Sequence, residues 1–258
     1  MKGFNLLRAH LDTFEKLRQE KGLKYKSNRE DYAKEIAKIC IPCAQGILAG
    51  CFKVTNPLGE QSVERIIKPT VIELYYHEEG NGRFKDPVMY HTNDRKFYEF
   101  YKDKYEEYKD RKDRKSYFDR RGFKELPYYP IGSLNPHPSG IDITFENPKE
   151  HYRASFLIRE YLVSFDGGKS IPISNSTDIF DDMLFNGILL DNSEWIEWID
   201  GDVDSVTVYP APRKNVSAYE KYNDSPELWR KIVKGTDSNN KLIFEKCSFK
   251  WQFSAKKQ

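Results

Sequence analysis

No stretch of eighteen apolar residues occurs anywhere in the sequence, so no segment could cross a bilayer as a helix. The opening segment, MKGFNLLRAHLDTFEKLRQEK, also lacks the continuous apolar core of a signal peptide, and a cytoplasmic protein is expected. Asp12, Glu15 and Glu20 dilute its positive charge, which argues against a membrane-surface anchor. Cysteine is scarce: Cys40, Cys43, Cys51 and Cys247 are the four, at irregular spacings that suit a reducing compartment. Cys40 and Cys43 have the C-x-x-C spacing of a redox pair or of half a zinc site. No second C-x-x-C or H-x-x-x-H follows, and no strand precedes them as in a thioredoxin motif. The plain reading is small side chains packing a helix. Excess charge is lacking too: 42 basic residues against 40 acidic ones leave a net +2. Any contact with nucleic acid therefore needs a local basic patch. There is no G-x-S-x-G elbow, Walker loop or dinucleotide fingerprint. No cofactor is expected.

What is present suffices for a core. Across 258 residues, 38% are hydrophobic and 14% aromatic, enough for one large domain or two small ones. Phe4, Leu7, Leu11, Phe14 and Leu17 recur at the three-to-four spacing of one helix face. A second helix is expected from about Asn28 or Asp31, with Ala33, Ile36, Ala37 and Cys40 on one side, kinked or ended by Pro42. After Pro69 the pattern turns to strands. Residues 71–77 (VIELYYH) place Ile72, Leu74 and Tyr76 on one face and Val71, Glu73, Tyr75 and His77 on the other. Residues 140–146 alternate as well, Asn147-Pro148 ends that strand, and residues 154–163, 203–209 and 241–253 supply more. The expectation is a single mixed α+β domain over residues 1–258. Its N-terminal helical part (1–50) packs on a curved, mainly antiparallel sheet in the body (51–258). A charged insertion at about 98–125 interleaves Arg111, Arg114, Arg120 and Arg121 with tyrosines and phenylalanines. It reads as a solvated helix with ion pairs, or as an arm along phosphates.

The residues able to carry chemistry gather between 73 and 159. Glu73, Tyr75 and His77 project together from one strand face, and a part-buried carboxylate beside aromatic and imidazole groups can activate water. The alternative is an ordinary polar sheet face. Asp86 and His91 add a second acid and imidazole. Residues 135–140 (NPHPSG) read as a proline-fixed loop entering a strand, where sites often lie. Glu73, His91, His137, Asp142 and Glu146 are all possible metal ligands, but their spacing matches no metal motif, and none is expected to hold one.

The order of these pieces resembles the alkyladenine (3-methyladenine) DNA glycosylase family. Glu73-Leu74-Tyr75 stands where that family has Glu-Ala-Tyr, and the stretch from Asp86 to His91 is similar to its Asp-x-x-x-His with one extra residue. Ser139-Gly140-Ile141 looks like its Tyr-Gly-Met turn. Phe156-Leu157-Ile158-Arg159 is similar to its Leu-Leu-Arg strand, with Arg159 nineteen residues after that glycine. Residues 211–216 and 228–235 are similar to its Pro-Arg-x-Gly and Trp-Arg-Phe segments, so the resemblance spans roughly residues 30–240. It implies hydrolysis of the N-glycosidic bond of an alkylated or deaminated purine in DNA, flipped out of the duplex, without metal or cofactor. By the same resemblance Glu73 is the general base and Arg159 helps hold the water or phosphate. Tyr75 and His91 line the base pocket, and His77, His137, Ser139, Gly140, Asp142 and Glu146 are further substrate-side residues.

Three positions depart from the family. Ser139 replaces an intercalating tyrosine, Pro136 a stacking tyrosine, and Glu146 a pocket asparagine. The expected partner is therefore DNA in damaged or single-stranded form, with no membrane and no obligate protein partner. One rival reading is a metal-dependent phosphodiesterase or nuclease using His91, His137, Asp142 and Glu146. Another is a non-catalytic nucleic-acid-binding or protein-binding module on the same scaffold.

Overall fold

A computed structural model describes residues 2–23, 28–55, 64–80, 82, 84–86, 89–94, 96, 120–185, 188–189, 195–213, 233–236, 242–244 and 249–255. Two helices come first, α1 (Phe4–Glu20) and α2 (Arg29–Ala49). The apolar stripe of α1 is buried through Phe4, Leu7, Leu11 and Phe14. Asn28 starts α2 by accepting hydrogen bonds from the backbone N–H groups of Glu30 and Asp31, which also suit the positive end of the helix. Pro42 does not end this helix: α2 runs through it to Ala49. An interior proline costs about 3 kcal/mol. Beyond it Cys43, Ala44, Ile47 and Leu48 are all buried in the core, which offsets that cost. Cys40 and Cys43 are packing residues, and burial pushes the Cys43 thiol up to about 12.

The strands are β1 (Cys51–Thr55), β2 (Glu64–Glu78), β3 (Leu134–His137), β4 (Gly140–Thr144), β5 (Tyr152–Phe165) and β6 (Ile171–Ile173). A short helix α3 (Ile179–Met183) precedes β7 (Leu184–Phe185), β8 (Ile188–Leu189) and β9 (Ile196–Ile199). The last strands are β10 (Tyr209–Ala211), β11 (Val233–Thr236), β12 (Leu242–Phe244) and β13 (Gln252–Ser254). One curled antiparallel sheet follows the order β10-β13-β2-β5-β4-β3; β1 joins β2 to β9, and β6 extends β5. Its spine is the long β2–β5 pair, in register from Arg65↔Phe165 to Glu78↔Tyr152 with irregularities around Val71. The fold is thus a mixed α+β arrangement with N-terminal helices on a mainly antiparallel sheet. Ile72, Leu74 and Tyr76 of β2 and Ala154, Phe156 and Ile158 of β5 form the core with the helices. Among the described residues no helix is long and apolar enough to cross a membrane.

Two segments differ from expectation. Residues 203–209 are not a continuous strand: Val203–Ser205 forms a 3-10 turn, which Asp202 caps by accepting from the Asp204 N–H, and the strand begins only at Tyr209. Residues 135–140 are not a free loop but the β3–β4 hairpin. Pro136 is tolerated because β3 ends the sheet, where a missing N–H leaves no ladder bond unmade. Of the charged insertion, residues 98–119 lie outside the described residues.

Candidate functional site

Directly paired residues of antiparallel strands share a face. Asp142, Leu157 and Glu73 therefore form one row across β4, β5 and β2, with Thr144, Ser155 and Tyr75 in the next and His77 beside Arg153 in the third. This is the face turned away from the helices. It is polar yet shielded: Glu73, His77 and Arg153 are 0% exposed and Asp142 3%. Buried charge of this kind persists only when paired.

Glu73 is held by β5. Its Oε2 accepts from Arg159 Nη2 at 2.7 Å and from the Tyr75 hydroxyl at 3.1 Å. Burial alone would lower the Arg159 pKa, but the Glu73 charge and hydrogen bond outweigh it, so the guanidinium is raised above its ordinary value. Arg159 Nη1 donates to Ser176 Oγ at 3.3 Å, and that hydroxyl donates to the Ser139 carbonyl at 2.7 Å. The β3–β4 turn is thereby tied to Arg159. Gly140 closes the turn at φ 135, where a Cβ would fall 2.9 Å from the Ser176 carbonyl oxygen. Only glycine adopts that backbone without strain.

A second chain of contacts starts from His137. Its Nδ1 accepts from the Ser139 N–H at 3.3 Å, and its Nε2 lies 3.1 Å from Asp142 Oδ1. Asp142 Oδ2 accepts from Ser155 Oγ at 3.1 Å and stands 3.5 Å from His91 Nδ1. His91 Nε2 lies 3.2 Å from Glu146 Oε1, and Glu146 Oε2 accepts from Arg153 Nη1 at 2.9 Å and the Tyr129 N–H at 2.7 Å. Burial favours the neutral form of Asp142, but the attraction of His137 and His91 wins and its pKa is lowered. Burial likewise works against the charged form of His137, and Asp142 overcomes it, raising the imidazole pKa. The imidazole–carboxylate approaches are close without being aligned: both His91 nitrogens, His137 Nε2, Asp142 Oδ1 and Glu146 Oε1 make no hydrogen bond. They are charge contacts first.

The structure brings together Glu73, Tyr75, Arg159, His137, Asp142, His91 and Glu146, with Ser139 and Gly140 in the adjoining turn. His77 is engaged elsewhere. Its Nδ1 accepts from the Asp86 N–H at 3.1 Å and its Nε2 lies 2.9 Å from Asp94, which Lys85 also meets. Four participants went unnoticed in the sequence. Arg153 was visible in principle, since it falls in phase with Ser155, Leu157 and Arg159 on β5. Arg213 pairs with Asp86 at 2.8 Å and lies 4.7 Å from the Tyr75 ring centroid. Ser176 and Glu79 carry no local signal. Among the described residues no group of three or more His, Cys, Asp and Glu is arranged to hold a metal ion. The two His91 nitrogens face different carboxylates, Nδ1 towards Asp142 and Nε2 towards Glu146. Comparison with family models, curated proteins and solved structures finds no match.

Proposed function

We propose that this chain is a glycosylase-like, metal-independent hydrolase that excises a damaged purine from DNA, with Glu73 as the base that activates water. One observation carries the reading: Glu73, fully shielded, is gripped by Arg159 at 2.7 Å on a polar face. Water against this carboxylate gives up a proton to it while its oxygen bonds to the sugar carbon. The C–N bond breaks, and its electron pair leaves with the purine, which takes up a proton. Arg159 and Tyr75 hold the carboxylate so that its direction is set before substrate arrives. Arg159, with 14% of its side chain exposed, marks the side of approach. The order of motifs, which resembles that of the alkyladenine glycosylase family, supports the same assignment, with His91 and Tyr75 towards the base. Free, buried Cys40 and Cys43 support a cytoplasmic setting.

Glu73→Gln tests the proposal, because it keeps the shape and deletes the proton acceptor. Base release is expected to fall by about 10²–10⁴ while oligonucleotide affinity stays nearly intact. An unchanged rate removes Glu73 from the chemistry. Activity abolished by a chelator and restored by magnesium, manganese or zinc favours the phosphodiesterase reading instead.

A further inference from the structure

The β3–β4 hairpin turns through only two residues, Pro138 and Ser139, between the paired His137 and Gly140. Pro138 has a fixed φ, and Gly140 is packed closely against Ser176 and Leu157. Ser139, between them, carries two links. Its N–H donates to His137 Nδ1 at 3.3 Å, and its carbonyl accepts from Ser176 Oγ at 2.7 Å. Ser176 Oγ accepts in turn from Arg159 Nη1 at 3.3 Å, and Arg159 Nη2 holds Glu73 at 2.7 Å. One line of hydrogen bonds therefore runs from an imidazole beside the exposed Tyr90 to a carboxylate that is fully shielded.

A neutral imidazole has one donor and one acceptor nitrogen. Since Nδ1 of His137 accepts, the hydrogen of the neutral ring is on Nε2, which lies 3.1 Å from Asp142 Oδ1. Protonation adds a hydrogen at Nδ1, and two N–H groups then face each other across 3.3 Å. The ring is not the partner that yields. Asp142 draws the imidazolium at Nε2, and the face of Tyr90, stacked at 5.2 Å, attracts a cation. We infer that His137 is a pH-operated latch on this hairpin: neutral, it holds Ser139 and, through Ser176, the Arg159–Glu73 pair; protonated, it releases the turn and slackens that grip. The charged groups facing the ring are Asp142 on β4, itself beside His91, and Arg159 on β5. Burial works against the charged ring, Asp142 outweighs it and Arg159 opposes, with a raised pKa as the result. The latch therefore operates above the ordinary imidazole value of about 6.5, close to neutrality. The Asp142 contact persists in both forms, because Nε2 carries a hydrogen in each. The latch is a property of the fold and does not depend on the base-excision reading.

The test follows the full chain, without ligand, by 1H–15N NMR from pH ~5 to ~9, the range that brackets imidazole titration. The side-chain resonances of His137 give the midpoint. Protection of the Ser139 amide against exchange with water, corrected for its intrinsic pH dependence, is expected to fall about threefold to tenfold as His137 becomes charged. The Arg159 Nε–H resonance should move with the same midpoint. In Ser176→Ala the Ser139 response should remain while the Arg159 response disappears. His137→Gln should abolish both; if it fails to fold by circular dichroism, Ser176→Ala and the wild-type titration decide. Constant Ser139 protection across the His137 titration, or a midpoint that differs from it, overturns the latch. An Arg159 response of full size in Ser176→Ala is the bare field of the imidazolium, and it overturns the transmission to Glu73.

Discussion

Arg153→Met removes the charge at the centre of the buried network while keeping most of the side-chain stem. In the folded chain Arg153 is 0% exposed. It donates to Glu79, to Glu146 at 2.9 Å, to the Pro127 carbonyl at 2.9 Å and to the Leu126 carbonyl at 2.8 Å. Its guanidinium also lies 4.2 Å from the Tyr128 ring centroid. The substitution leaves two buried carboxylates facing one another's field and two carbonyls without a donor. Breaking a buried pair from one side costs about 3–5 kcal/mol, and the pairing of Arg153 with two acids puts the expectation at the upper end. For a chain of this size each kcal/mol lowers Tm by about 2–4 °C, so a drop of ~10–20 °C is expected. Thermal and urea unfolding followed by circular dichroism measure it. Adding Glu79→Gln and Glu146→Gln to Arg153→Met should restore most of the loss, because no uncompensated charge is then left. A loss below about 1 kcal/mol, the size of an exposed ion pair, would refute the argument that this network is dry and mutually dependent.

Ser176→Ala deprives Arg159 Nη1 of its acceptor and frees the Ser139 carbonyl. Turnover of base release should fall about tenfold through misplacement of Arg159, with little change in KM, and Ser176→Thr should restore it; a pure KM effect contradicts the positioning role. The His137–Asp142 pair makes stability depend on pH in a defined window. His137 has a raised pKa, so its contribution is full below the ordinary imidazole value of about 6.5 and is lost as pH climbs through the raised value. Asp142 has a lowered pKa, so its contribution is full above about 3.9 and is lost as pH falls through the lowered value. The Tm difference between wild type and His137→Gln should be largest between these limits and shrink above neutrality; a difference growing from pH ~7 to ~9 reverses the sign and defeats the assignment. With Ser139 and Pro136 where the family it resembles has tyrosines, excision should be faster from single-stranded or bubble DNA than from matched duplex if the proposed function holds. Equal or faster release from the duplex would sink that expectation.

Period-two alternation made the site half legible. It puts Glu73 and Tyr75 on the face opposite Ile72 and Leu74, and Arg159 on the polar side of its own strand, without any knowledge of pairing. What alternation lacks is register. The meeting of Arg153 with Glu79 and Glu146 depends on which residues of β2 and β5 lie opposite each other, and on chain that leaves the sheet at Glu79. Tertiary burial also overrides local propensity. Pro42 sits inside a continuous helix because its neighbours are core residues, and the β-rich look of residues 203–209 yields to the capping Asp202. Glu146 stood out in the sequence as a departure from a family pattern. Only the structure shows its acid hydrogen-bonded to Arg153 on one oxygen and in charge contact with His91 on the other.

The long β2–β5 pair sets an order of events during synthesis. β5 ends at Phe165, and residues 79–151 must be made between the two strands. At about 5–20 residues per second, β2 waits several seconds for its main partner. During that time α1, α2 and the β1–β2 pair can assemble from contacts near in the chain. The nascent β2 then offers an open edge to any neighbouring chain. Lys68, Glu73, His77 and Glu78 stand along that strand. The ionisable groups proposed to serve the finished site would meanwhile act as gatekeepers, keeping two ribosome-bound copies from zipping together before β5 emerges.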